Sequence, residues 1–253
     1  MQMERYIPVP ALQPFIRDIL FIECTTETQN LVLPDILLNL VIRFKGSVSV
    51  HNQFLPLATL TGLTRSPKLI TYSANAANLL VRFEPGGAAA FFKEPLHEFM
   101  QQTAPANKLK GYADLNLVAE QLAAMPDNTQ RLSFIQRLLL SRLHKESPDA
   151  LIRAAVEKIN TAKGTLSMHG LSRQLYLSQD AFEKRFRQQV GITAKHFSSN
   201  LRLRNAIDSY SPARTLTDLA HTAGFFDQAH FTKEFHGFTG QSPRQFFQSA
   251  RYW

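Results

Sequence analysis

The stretch Ala223-Gly224-Phe225-Phe226-Asp227-Gln228-Ala229-His230-Phe231-Thr232-Lys233-Glu234-Phe235 decides the fold of the C-terminal half of this chain. Gly224 supplies the positive φ of a tight turn. Asp227 is a residue type that caps a helix by accepting from its free N–H groups. Phe231 and Phe235, with Phe238 just beyond, then recur at helical spacing and face inward. Gln228, Ala229, His230, Thr232, Lys233 and His236 are left outward. Residues 216–222 predict a short helix ahead of the turn. A short helix, a tight turn and an amphipathic helix with a polar outer face make a shape that a DNA major groove accepts.

The same plan occurs once more upstream. Residues 167–175 predict a short helix, Tyr176-Leu177 the turn, and Ser178 the cap of a helix over residues 179–190. Phe182, Phe186 and Val190 lie four apart on its inner face. Gln179, Asp180, Ala181, Glu183, Lys184 and Arg187 are the candidates for contact with DNA on its other side. One such unit alone is common in all-helical domains. Two of them, at residues 165–191 and 216–238, are more specific. A helix over residues 196–210 joins them, roughly 22 Å long at about 1.5 Å per residue, a length that can set two helices about one DNA turn apart.

Charge is distributed to match. Residues 1–148 hold 14 Lys/Arg against 12 Asp/Glu, whereas residues 149–253 hold 14 against 8, so most of the net +8 lies in the C-terminal region. Concentrated positive charge points to a polyanion partner. With 44% apolar and 19% charged residues the chain has the composition of a globular protein rather than a disordered one. One cysteine, Cys24, excludes an internal disulfide framework and a cysteine-rich zinc site. No apolar run is long enough for a membrane span and residues 1–7 carry no signal-peptide pattern, so the expected location is the cytoplasm.

Toward the N-terminus the period changes. In Leu38-Asn39-Leu40-Val41-Ile42-Arg43-Phe44 the even-numbered residues share one apolar face, the mark of a strand. Shorter strand-like pieces follow at residues 48–50, 57–60, 69–72 and 79–83, with turn formers between them. Glu84-Pro85-Gly86-Gly87 stops the last and opens a helix over residues 88–92. Helices are expected at residues 115–125 and 132–143, the latter on Leu132, Ile135, Leu139 and Leu143. Lys145-Glu146-Ser147-Pro148 is the linker candidate. The expected architecture is α+β: a strand-rich, small barrel-like domain with trailing helices over residues 1–147, and an all-α domain over residues 148–253. Asn39, Arg43, His51, Arg82 and Glu84 lie on or beside strands and are candidates for an effector pocket; the other reading is the solvated face of a half-exposed sheet.

Several stretches carry a family resemblance. They are Leu171-Ser172, Leu177-Ser178-Gln179-Asp180-Ala181-Phe182-Glu183-Lys184-Arg185-Phe186-Arg187, Gly191-Ile192-Thr193, Leu201-Arg202-Leu203-Arg204-Asn205-Ala206, Leu219-Ala220, the 223–235 stretch, and Phe238-Thr239-Gly240-Gln241-Ser242-Pro243. In order and spacing, over residues 164–246, they resemble the AraC/XylS family of transcription regulators. The resemblance implies a seven-helix domain that inserts two helices into successive major-groove segments on one DNA face, with Arg202 and Arg204 as candidates for the DNA backbone. Pro8-Val9-Pro10-Ala11-Leu12, Leu33-Pro34-Asp35 and Val81-Arg82-Phe83-Glu84-Pro85-Gly86-Gly87-Ala88 resemble the sensor-side domain of one branch of these regulators. Double-stranded DNA, a small-molecule effector, a second copy of the chain and RNA polymerase are the partners this implies. No cofactor or metal is expected.

Some positions depart from the family pattern. His236 stands where Lys or Arg is frequent, which makes a phosphate contact there weaker or pH-dependent. Asp180 and Glu183 make the first recognition helix acidic near its start; a carboxylate accepts from cytosine N4, but the plainer reading is helix capping or pairing with Arg187. Phe226 is expected as partial core, with a thymine methyl as its other candidate contact. Two alternatives compete with a regulator. An architectural DNA-binding protein needs no sensor domain, and a DNA-repair-type enzyme using Cys24 lacks the flanking histidine that such a thiol calls for, since Glu23-Cys24-Thr25 has none. No catalytic constellation can be assembled from the remaining residues.

Overall fold

The alternation along residues 38–44 becomes strand β4 (Asn39–Lys45), whose Leu40, Ile42 and Phe44 are buried in one core while Asn39, Val41 and Arg43 face the other way. The computed structural model describes residues 1–144 and 149–248; the linker candidate at 145–148 lies outside the described residues. Strands β1 (Gln2–Tyr6), β2 (Ile16–Cys24), β9 (Ala76–Phe83), β4, β7 (Ala58–Thr61) and β10 (Thr103–Pro105) form a six-stranded sheet in that order. A second sheet runs β3 (Thr28–Val32), β8 (Lys68–Tyr72), β5 (Val48–Val50), β6 (Gln53–Phe54). All pairings are antiparallel.

Both faces of the large sheet are covered. On its outer face Ile19, Phe21, Leu40, Ile42, Leu79 and Val81 meet helices α1 (Leu115–Ala124) and α2 (Asn128–Arg142) through Leu115, Val118, Leu122, Ile135 and Leu139. On its inner face Ile22, Cys24, Ala76 and Leu80 meet Val48, Ile70 and Tyr72 of the small sheet. Arg131 ties the two helices together by donating to the carbonyls of Leu122 and Met125, with its guanidinium over the Phe44 ring. The helix expected at residues 88–92 is instead a 3-10 turn, Gly87–Ala90. It follows a left-handed Gly86, and the turn packs so close to β2 that a Cβ on Gly87 would sit 2.1 Å from the Phe15 carbonyl oxygen.

The C-terminal part has seven helices among its described residues: α3 (Ala150–Thr161), α4 (Met168–Gln174), α5 (Gln179–Val190), α6 (Ala194–Asp208), α7 (Leu216–Thr222), α8 (Gln228–Thr239) and α9 (Pro243–Gln248). Caps fix their starts. Ser178 Oγ accepts from Ala181 N–H at 3.3 Å, and Asp227 Oδ1 accepts from His230 N–H at 2.7 Å. Left-handed Gly191 and Gly240 end α5 and α8. Phe182, Phe186 and Phe197 build one core, and Phe225, Phe231, Phe235, Phe238 and Phe246 the other.

The N-terminal domain reaches into both of these cores. Ile36, Leu37 and Leu63 belong to the first, whereas Leu33 packs against the second. Between them, Arg204 on α6 donates to the Pro34 carbonyl oxygen and pairs with Asp35 at 3.6 Å. Residues 33–37 therefore bridge the two helical units before the chain enters β4.

Candidate nucleic-acid interface and sensor face

Each helix-turn-helix unit buries one side of its second helix and exposes the other. On α5, Phe182, Phe186 and Val190 are buried, while Gln179, Asp180, Lys184 and Arg187 are exposed and Ala181 is half-buried. On α8, Phe231, Phe235 and Phe238 are buried; Gln228, Ala229, His230, Lys233 and His236 are exposed, with Thr232 half-buried. Gln228, Ala229, Thr232, Lys233 and His236 line one shallow, open concavity along α8. Gln228 is oriented by Thr217, whose hydroxyl donates to its Oε1 at 2.7 Å.

Two expectations, for Glu183 and Phe226, need correction, and the two arginines make contacts within the chain. Glu183 does not point outward with its neighbours: its Oε2 accepts from Ala194 N–H at 3.2 Å, the first residue of α6, so it holds the start of the connecting helix. Arg202 is folded inward as well, donating to the Gly224 carbonyl oxygen at 3.0 Å and lying 4.7 Å from the centroid of the Phe225 ring. Burial lowers its pKa. Arg204 donates to the Pro34 carbonyl oxygen and pairs with Asp35, so both arginines also make contacts within the folded chain. Phe226, expected as partial core, is 87% exposed beside the cap of α8.

The turns differ between the units. Gly224 has φ +78 and a Cβ there would lie 2.8 Å from Thr165 Cγ2, which leaves glycine as the residue that fits. At the matching place in the first unit stands Tyr176, with φ +56 and its side chain 97% exposed. Asp149 secures that unit from behind: it caps α3 by accepting from Leu151 N–H and pairs with Arg185 of α5 at 2.7 Å.

In the N-terminal domain, strand register sorts the candidate pocket residues. Asn39 lies opposite Arg82, and Arg43 opposite Asn78, all on the face that meets the small sheet. Arg82 is held there by Asp18, which is fully buried and also pairs with Arg5. That hydrogen bond, against the opposing effect of burial, raises the Arg82 pKa. His51 is exposed in the β5–β6 turn, and Glu84 pairs with Arg17 beside a cleft against α3; neither joins this face. Asn78 and Lys68 join this face or the one opposite it; each lies one residue before a strand expected from the sequence, at 79–83 and 69–72. Cys24 is buried among Ile22, Val48, Tyr72 and Ala76, away from the solvent that a reactive thiol needs. Burial, with a smaller contribution from Cys24, pushes the Tyr72 hydroxyl up to about 12.

Comparison with known proteins bears on both halves. A family profile described as "Helix-turn-helix domain" matches residues 171–249, and one described as "Domain of unknown function (DUF6597)" matches residues 4–105. The chain is 27% identical over 195 residues to the HTH-type transcriptional activator RhaS of Shigella boydii, a match covering 72% of this chain and 66% of that protein. It is 33% identical over 82 residues to the uncharacterized HTH-type transcriptional regulator SAS0078 of Staphylococcus aureus, covering 32% of this chain and 11% of that protein. The chain thus spans less than two thirds of the length of either curated relative. Among solved structures, ToxT from Vibrio cholerae aligns with 90% of this chain and 96% of its own at 10% identity and a TM-score of 0.45. No helix among the described residues is long and apolar enough to cross a membrane.

Proposed function

We propose that the chain, whose C-terminal half resembles the AraC/XylS family and matches a helix-turn-helix profile, is a sequence-specific DNA-binding transcription regulator that lays α5 and α8 into successive segments of one major groove. The observation that carries this is the duplicated exposure: two helices, each with phenylalanines buried behind and a basic or polar face left in solvent. Lys184 and Lys233 occupy equivalent places, two residues after Phe182 and Phe231. With Asp180, Arg187, Gln228, His230 and His236 they offer donors and acceptors to base edges and phosphates.

The remaining parts of this reading are supported by the division of the chain into a strand-rich and a helical part. Residues 1–147 act as the sensor, with an effector held between the two sheets by the face that carries Asn39, Arg43 and Arg82. Residues 148–253 bind DNA. A second copy, joined through the N-terminal domain, and RNA polymerase complete the set of partners. Titrating the full chain against duplexes selected from a random pool, at increasing salt, tests the DNA reading. The expected log–log slope is about −0.9 for each phosphate neutralised. A flat response to salt overturns it.

A further inference from the structure

The sheet face that meets the small sheet holds positive charge and hydrogen-bonding capacity that the folded chain leaves unused. Asn78 lies on β9, an interior strand of the large sheet, and is only 2% exposed, yet its Nδ2 has no partner among the described residues. Its cross-strand neighbour Arg43 has a buried Nε in the same condition; the guanidinium makes one hydrogen bond, from Nη1 to the Leu55 carbonyl oxygen at 3.1 Å. Farther along β4 the Oδ1 of Asn39 is also buried and unpartnered. Asp18, on the same face, is already held by Arg82 and Arg5. From the facing sheet comes Lys68, which shares a strand face with Ile70 and Tyr72 and has no counter-ion among the described residues. Burial draws both Arg43 and Lys68 below their ordinary pKa values.

Buried polar groups in folded proteins are almost always paired, and each exception asks for an explanation. Here two exceptions, on Asn39 and Asn78, share one sheet face with an uncompensated guanidinium whose own Nε is the third. Folding alone gains nothing from that arrangement, because an unmade hydrogen bond and an unpaired charge both destabilise. We propose that this face binds the carboxylate of a small organic anion, with Asn78 Nδ2–H and Arg43 Nε–H donating to its oxygens. Directly opposed residues on antiparallel strands stand about 5 Å apart, which suits a planar group with two acceptor oxygens. Leu20, Ile22, Val41, Leu80 and Ile70 supply apolar surface around it, a setting for a carbon skeleton rather than for a phosphate, whose three oxygens and higher charge call for more donors. The proposal rests on the sensor reading above and names its ligand class.

The full chain tests it by thermal melting and by operator binding in the same buffers. Asn78→Leu keeps the branched shape of the side chain and removes the orphaned amide, so without ligand it should melt about 2–4 °C higher than the parent chain. A lower melting temperature shows a structural amide and overturns the proposal. Millimolar benzoate or hexanoate, at matched ionic strength, should raise the parent's melting temperature, whereas benzamide and inorganic phosphate should not. Asn78→Leu and Arg43→Met should each abolish the shift. The absence of any carboxylate shift, an equal shift with benzamide or phosphate, or a shift that survives in both variants overturns it. If the chain still binds its operator with salt dependence in those cases, the DNA reading stands while the ligand class falls.

Discussion

The two helix-turn-helix units share a plan and differ in what braces them. The first is built into its surroundings: α5 packs against the 3-10 turn Leu96–Phe99, Gly191 lies against Leu63 and Leu96, and Ile36 and Leu37 complete its core. The second fills its own core with five phenylalanines and takes Leu33 from the N-terminal domain at its edge. Local sequence can therefore repeat while structural dependence does not. One unit is positioned by the N-terminal domain, and the other mostly by itself.

The largest effects should come from the cores. Phe231→Ala leaves a cavity worth about 3–5 kcal/mol in the self-contained unit, and should lower its melting and abolish operator binding. Phe186→Ala is of similar size in the braced unit but should also loosen the N-terminal domain, seen as faster amide exchange around residues 36–37 and 63. Equal exchange there in both variants breaks the comparison.

Next come the outward lysines. Lys184→Ala and Lys233→Ala should leave melting unchanged and weaken operator binding by about 1–3 kcal/mol if they touch base edges, with relaxed preference at one base pair. A phosphate contact instead weakens all sequences alike. Should both variants bind with full affinity while folded, the outward faces are merely solvated.

The turns give a smaller and signed test. Gly224→Ala forces a side chain into a left-handed conformation and against Thr165, and should destabilise by about 1–3 kcal/mol. Tyr176→Gly removes the same kind of strain from the first unit, partly offset by the entropy of glycine, and should stabilise by less than about 1 kcal/mol. Calorimetry of the pair measures both signs. A loss of stability on Tyr176→Gly means that the exposed ring has a partner in the folded chain.

The last test uses acidity. His196 on α6 has its pKa lowered first by burial and then by Arg65 of the N-terminal domain, with Glu234 opposing. The folded chain binds that proton less readily than the unfolded chain, so its contribution is complete above the ordinary value of 6.5 and is lost as pH falls below it. Melting temperature should fall on acidification through that window, and less so in His196→Gln. Identical pH profiles for the two proteins count against it.

Much of the helical half was legible in the sequence, because its signals are local. Ser178, Asp227 and Gly224 are punctuation that acts within one turn, and α7 begins and ends at Leu216 and Thr222 as the pattern predicts. The N-terminal half was less legible. Strand β2 carries Ile19, Leu20, Phe21 and Ile22 buried in succession, so alternation vanishes where both faces are covered. The intramolecular contacts of Arg202 and Arg204 were not legible for a different reason: charge suggests solvent or phosphate, and only the tertiary structure brings them to Gly224, Phe225, Pro34 and Asp35. Glu183 follows the same logic, since Ala194 lies eleven residues away in sequence.

Residues 33–37 have a consequence for the kind of operator such a protein tolerates. With Leu33 seated on one unit, Ile36 and Leu37 on the other, and Arg204 held between them, α5 and α8 cannot be rotated apart without undoing contacts to the N-terminal domain. Inserting a single base pair between two half-sites turns one of them by about 35° around the duplex axis. A loosely tethered pair of modules would absorb that phase error in its hinge. Here the error is transmitted to a loop that leads straight into β4, so groove phase and the geometry of the N-terminal sheet are mechanically the same coordinate.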